Sequence, residues 1–161
     1  MPIDALLANP EAEGLFRIVL AGAIGVIVGF EREIDRKPAG ARTYGGVAMG
    51  ASTFTVVAIL AFGAGDPASR VAAQIITGIG FLGAGTILHT RLRVRGLTTA
   101  AGLWMMAAVG MAIGSGLYLV GIGAGVAILL LLQFLEPHRL LGRRAGEDED
   151  ESVGGDEAGE P

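Results

Sequence analysis

Three groups of residues in this chain have the types and spacing to do chemistry. The first is the run Glu31-Arg32-Glu33-Ile34-Asp35-Arg36-Lys37, with Arg42 and Thr43 close behind it. Glu31 and Glu33 could share a divalent cation or pair with Arg42, because magnesium binds through one or two carboxylates and keeps several waters. The same run could also neutralise itself. On a helix Glu33 meets Lys37 at i+4 and Arg32 meets Asp35 at i+3, which leaves a solvated helix end with snorkelling arginines. The second group is Arg91, Arg93 and Arg95, alternating with Leu92 and Val94 and followed by Thr98 and Thr99. An extended segment would point the three guanidinium groups one way, and their planar forks suit the phosphate of an anionic lipid or ligand. Arginines that only fix topology would read the same. The third group is Arg70 and Gln74, one helical turn apart, either a polar rim contact or ordinary interhelical glue.

The elements that must position these groups follow from composition. The 161 residues are 52% hydrophobic and 17% charged, with a mean hydropathy of +0.58. Such a chain lacks the polar shell of a soluble domain. The net charge of −4 is set at one end, since eight of the sixteen acids lie between Glu147 and Glu160. With no cysteine, disulfides and thiolate metal sites are excluded. A bilayer-spanning helix needs ~20 apolar residues, and five stretches approach that: Leu15 to Ile34, Tyr44 to Ala64, Arg70 to Leu88, Leu97 to Gly114 and Leu117 to Leu135. A four-span arrangement with one re-entrant segment is the alternative. The opening segment, residues 1–14, is acidic and does not read as a cleaved signal peptide. Residues 136–161 are basic, then acidic, and disordered by composition.

Ten of the twelve basic residues fall on one side of these spans, and only Arg17 and Arg70 on the other. The positive-inside rule then places the N-terminus outside and the C-terminus in the cytoplasm. Thr43, with Thr98 or Thr99, is placed to cap the cytoplasmic N-termini of spans two and four. Each terminus follows arginines, so that face can attract anions.

Every span carries small residues four apart: Gly25 and Gly29, Gly46 and Gly50, Gly80 and Ala84, Gly110 and Gly114, Gly121 and Gly125. In lipid, helices associate where small residues let backbones approach. The five pairs predict a tight bundle, a homo-oligomer, or both. Shifting the chain by 56 residues lays Gly22 on Gly78, Gly29 on Gly85, Thr43 on Thr99 and Gly46 on Gly102. A parallel two-hairpin repeat accounts for this, and so does coincidence in a glycine-rich chain. Trp104 reads as a packing residue within span four.

The run "DPASRVAAQIITGIGFLGAGTIL", then "VRGLTTAAGLW", together with "GFERE" and "KPAGARTYGGVAMG", resembles the MgtC/SapB family of bacterial and archaeal membrane proteins. The resemblance covers about residues 15–135. It implies a multi-pass inner-membrane protein linked to growth in low magnesium and, in pathogens, to survival inside host cells. It also implies regulation of other membrane complexes, ATP synthase among them, and importance for Glu31, Arg32 and Glu33, which fall on the family motif. Some members add a soluble C-terminal domain of ACT-like fold, for which the residues after Pro137 are too few.

The expectation is therefore an all-α, five-span transmembrane bundle without enzymatic activity, cofactor or nucleic-acid partner. No ionisable residue lies near a span centre, where ion-coupled carriers place one, and no nucleophile–base pair is visible. His89 and His138 lack an acidic partner at ligand spacing, so direct magnesium binding stays open. The expected role is regulation or interaction through lipid or another membrane complex. The alternative is a small transporter or channel whose path forms between protomers.

Overall fold

A computed structural model describes residues 9–89 and 94–134. Among them are α1 (Pro10–Ile34), α2 (Ala41–Phe62), α3 (Asp66–Gly85), β1 (Leu88–His89), β2 (Val94–Arg95), α4 (Leu97–Gly114) and α5 (Tyr118–Phe134). The two strands pair antiparallel, Leu88 opposite Arg95 and His89 opposite Val94. The chain divides into two units, Met1–Leu129 and Leu130–Pro161, and the packing below is that of the first.

Helices dominate, as the apolar runs predict, but not every run has the expected length. Three helices, α1, α2 and α4, are long and apolar enough to cross a membrane. The 17-residue α5 is apolar but shorter. Only α4 has its expected bounds. Helix α1 starts at Pro10 rather than Leu15 because Asn9 caps it, its side chain accepting the Glu11 N–H at 3.0 Å. Pro10, Glu11 and Glu13 then suit the first turn. Helix α3 starts at Asp66, with Pro67 in its first turn, and stops at Gly85. Leu88, expected to close the third span, is in β1 instead.

Two helices end in the same hydrogen-bonded device with different residues. At the end of α4, Gly116 N–H donates to Ile113 and Leu117 N–H to Ala112, with Gly116 left-handed at φ 81°. At the end of α1, Arg36 N–H donates to Glu33 and Lys37 N–H to Arg32, with Arg36 left-handed at φ 52°. This is the Schellman closure, which glycine adopts without strain and arginine does not. Gly96, at φ 91°, leads from β2 into α4, and a side chain there would strike the Thr86 carbonyl at the end of α3.

Small residues line the closest helix contacts, and many large apolar ones face outward. Helix α2 contacts α1, α3 and α4, and α4 also contacts α1 and α3. A Cβ at Gly25 would come within 2.6 Å of the Tyr44 carbonyl oxygen, and one at Gly29 within 2.7 Å of Ala41 Cα. Gly114 stands as close to the Ser52 carbonyl, and Gly110 lies against that of Ala48. Gly121 admits Ile113, and Gly125 admits Ile24. Phe30, Phe54, Phe81 and Leu119 are meanwhile exposed. Trp104 is also exposed, at 53%, which corrects the expectation of a packing role within the chain. So much outward apolar surface exceeds what a soluble monomer shows and suits a hydrocarbon surrounding.

Candidate functional site

The end of α1 that carries the charged run is built from three helices. Arg32, in the last turn of α1, is 1% exposed, and Glu31 is 9% exposed. Arg32 Nη1 lies 3.9 Å from Glu31 Oε2. Tyr44, in the first turns of α2, is fully buried, and its hydroxyl contacts Arg32 and lies within electrostatic reach of Glu31. That hydroxyl donates to the backbone carbonyl of Thr99 in α4, at 3.5 Å. Gly102, one turn further along α4, leaves room for the ring, since a Cβ there would strike the Tyr44 hydroxyl. Glu31, Arg32 and Thr99, which belong to two separate groups in the sequence, are thus one buried cluster closed by Tyr44. For Arg32 this corrects the solvated-end reading of the run.

Glu33 has a different task. Its Oε2 accepts the Ala41 N–H at 3.1 Å, so a carboxylate at the end of α1 satisfies an open donor at the start of α2. The N-caps of α2 and α4 are Gly40 and Gly96, and neither makes a side-chain cap bond. The expectation that Thr43 and Thr98 or Thr99 cap these helices is therefore corrected. They lie inside the first turns, with Thr43 and Thr98 exposed and Thr99 buried.

Beside this cluster are two adjoining concavities, which share Arg42 and Thr43. A groove of about 590 Å³ runs between α2 and α3, lined by Gly46, Val47, Gly50 and Phe54 on one side and Val71, Gln74, Gly78 and Leu82 on the other. Its polar end is Arg42 and Thr43. The same two residues line a second hollow of about 330 Å³ with Glu33, Arg36, Lys37 and Gly40. Gly46 and Gly50 have nothing within 4 Å of an added Cβ, so within one chain they line open space rather than a helix contact. Gly80 is equally open, and Ala84 is exposed on the same side of α3. Arg70 is exposed and stands 3.7 Å from Asp66, one turn back on α3. Gln74 is exposed to the groove, not buried as an interhelical link.

Of the arginine ladder, Arg91 and Arg93 lie outside the described residues, as does His138. Arg95 is exposed in the extended strand β2. No group of three or more His, Asp or Glu that could hold a metal ion occurs among the described residues.

The opposite end of α1 holds a clasp that the sequence pattern did not single out. Arg17 donates from Nε to the Tyr118 hydroxyl at 3.1 Å and from Nη1 to the Gly114 carbonyl at 3.0 Å. It also pairs with Glu13, one turn back. The Tyr118 hydroxyl donates in turn to Glu13 at 3.3 Å. Tyr44 and Tyr118 are the chain's two tyrosines, and each is tied to an arginine of α1. A tyrosine in an apolar run needs a partner for its hydroxyl, and that was the available signal for both clusters.

The model of the MgtC family matches residues 18–140. YhiD of Escherichia coli (strain K12), which bears the name "Putative magnesium transporter YhiD", is 43% identical over 129 residues, covering 76% of this chain and 60% of that protein. Protein MgtC of Brucella abortus (strain 2308) is 49% identical over 120 residues, covering 73% of this chain and 50% of its own length. Protein SrpB of Synechococcus elongatus is 41% identical over 139 residues, covering 78% of this chain and 76% of its own. The chain thus spans 60% of the YhiD relative and half of the Brucella one. No solved structure matches the chain.

Proposed function

The chain belongs to the MgtC family, and from that premise we propose that it is a non-enzymatic, multi-pass protein of the cell membrane. It acts through contacts with lipid or with another membrane complex, ATP synthase being one such, when magnesium is scarce or the envelope is stressed. The observation that carries this reading is how the charged run is used. Glu31 and Arg32 are turned inward onto each other and Tyr44, and neither lines the groove or the hollow. This buried ion pair of α1 is linked through Tyr44 of α2 to the Thr99 carbonyl of α4, so its charges serve to join three helix ends. This withdraws Glu31 and Arg32 from any reactant, and Glu33, which lines the hollow, already accepts the Ala41 N–H. The five helices all cross, with the N-terminus outside and the basic side in the cytoplasm. The protein is a homo-oligomer, in which Gly80 and Ala84 on the open back of α3 meet a second copy.

A second reading is favoured by one fact, the magnesium-transporter name borne by the YhiD relative. There the ion path would form between protomers. Two measurements separate the readings. A strain lacking the protein should grow poorly in low magnesium and recover with the wild-type chain. Liposomes holding the purified chain should show no magnesium flux above empty vesicles. Unchanged growth on deletion sinks the regulatory reading, and flux above background replaces it with transport.

A further inference from the structure

We propose that the groove between α2 and α3 and the basic hollow at its end together bind one anionic phospholipid of the surrounding bilayer. Its acyl chain would lie in the groove and its phosphate against Arg42. The proposal rests on the membrane reading above, but on neither the regulatory role nor the transport role.

Three observations carry it. First, the two concavities share Arg42 and Thr43, so an apolar trough and a polar basin adjoin at those residues, an arrangement that suits an amphiphile. At about 590 Å³ the groove falls within the ~300–1,000 Å³ range of small-ligand sites. Gln74 is its one polar wall residue beyond the Arg42–Thr43 end.

Second, the groove has the length of one leaflet. Along α2 it runs from Arg42 to Phe54, which at ~1.5 Å per residue is about 18 Å. Half of a ~30 Å hydrocarbon core is about 15 Å. A chain anchored by its head at Arg42 would therefore end near the bilayer centre.

Third, the charge is complementary. Arg36, Lys37 and Arg42 line the basin beside Glu33, whose Oε2 already accepts the Ala41 N–H; Lys37 has interactions of its own, so Arg36 and Arg42 supply the surplus. An anionic head group meets a cationic surplus there. Glycines at 46, 50 and 78 keep the trough open: a Cβ at any of them meets nothing within 4 Å. The glycines of these two helices whose added Cβ meets nothing thus separate by face. Those at 46, 50 and 78 line the groove, while Gly80 is absent from its walls.

The test uses the full chain, reconstituted in nanodiscs of mixed phosphatidylglycerol and phosphatidylcholine and then released for native mass spectrometry. The wild type should retain phosphatidylglycerol in preference to phosphatidylcholine. Arg42→Gln should lower that preference about fivefold, the value of one basic residue at an anionic surface. Gly50→Leu should expel both lipids while the thermal midpoint stays unchanged, because its side chain enters open space. Gly123→Leu, on α5 and equally unobstructed, should change nothing. Unaltered retention in Arg42→Gln and Gly50→Leu overturns the site. So does a change of oligomeric state in Gly50→Leu with retained lipid unchanged, which would make the occupant a second copy. If Gly50→Leu does not fold, Arg42→Gln alone decides. None of these readouts measures growth or magnesium flux, so this proposal and the functional one fail separately.

Discussion

Arg32 and Arg36 lie four residues apart at the end of α1 and live under opposite physics. Arg32 is 1% exposed beside a buried carboxylate, so its charge is held by neighbours and not by water. Removing one partner of a buried pair strands the other, typically at about 3–5 kcal/mol. Arg32→Gln should therefore lower stability in detergent by that order. Tyr44→Phe should cost about 1 kcal/mol or less, since interhelical hydrogen bonds in membranes are modest and this one is long. Equal unfolding shifts in the two variants would mean that Arg32 contributes little beyond its contact with the tyrosine. Arg36 instead is exposed and holds a left-handed backbone at φ 52°. Glycine relieves that strain at some entropic cost in the unfolded chain, so Arg36→Gly should raise stability by up to ~1 kcal/mol. A fall in the thermal midpoint would show that the arginine side chain contributes more than its backbone costs. Sequence spacing displays the charged run but not this division. The i,i+3 and i,i+4 rules treat its members as one helix surface, whereas burial depends on α2 and α4, which arrive later in the chain.

At the scale of the helix, spacing alone treats the glycine pairs alike, and the packing sorts them. Gly25 and Gly29 sit against the backbone of α2, while an added Cβ at Gly46, Gly50 or Gly80 touches nothing in the chain. Periodicity locates a small face without saying what covers it, because a helix contact, a lipid groove and a protomer interface all select for small residues. Gly29→Leu should therefore destabilise the purified protein by ~1–3 kcal/mol or more through overpacking. Gly80→Leu should leave the stability of a single chain unchanged and weaken only association between chains. Measuring thermal midpoint and oligomeric state together distinguishes them. Equal loss of stability at both positions would remove the distinction between inner and outer faces. The helix ends were less legible than the helices. Thr43 and Thr98 are reasonable caps by residue type, yet Gly40 and Gly96 occupy those positions. The α2 end is satisfied by Glu33, reaching across from α1. A cap supplied by another helix leaves no local signature.

For the whole molecule, the question is how many helices cross. Three are long and apolar enough on their own, and the 17-residue α5 falls short. Helix α3 is not among the three for a physical reason: Asp66 and Arg70 occupy its first turns and pair with each other at the surface. Such a pair sits comfortably at a membrane interface, leaving Val71 to Gly85 for the hydrocarbon. The short α2–α3 turn, with Gly63 and Gly65 both at positive φ, brings α3 back beside α2. If α3 and α5 both cross, the ends of the chain lie on opposite sides. The ten basic residues then face the cytoplasm and Arg17 and Arg70 the outside. An alkaline phosphatase fused within the Gly63–Gly65 turn should be active, as that enzyme requires export. A green fluorescent protein fused at the C-terminus should fluoresce, as it folds in the cytoplasm. A dark C-terminal fusion paired with an active C-terminal phosphatase would mean an even number of crossings. One of the two weaker helices would then be re-entrant, and the two-faced arrangement proposed for this chain would have to be redrawn around four spans.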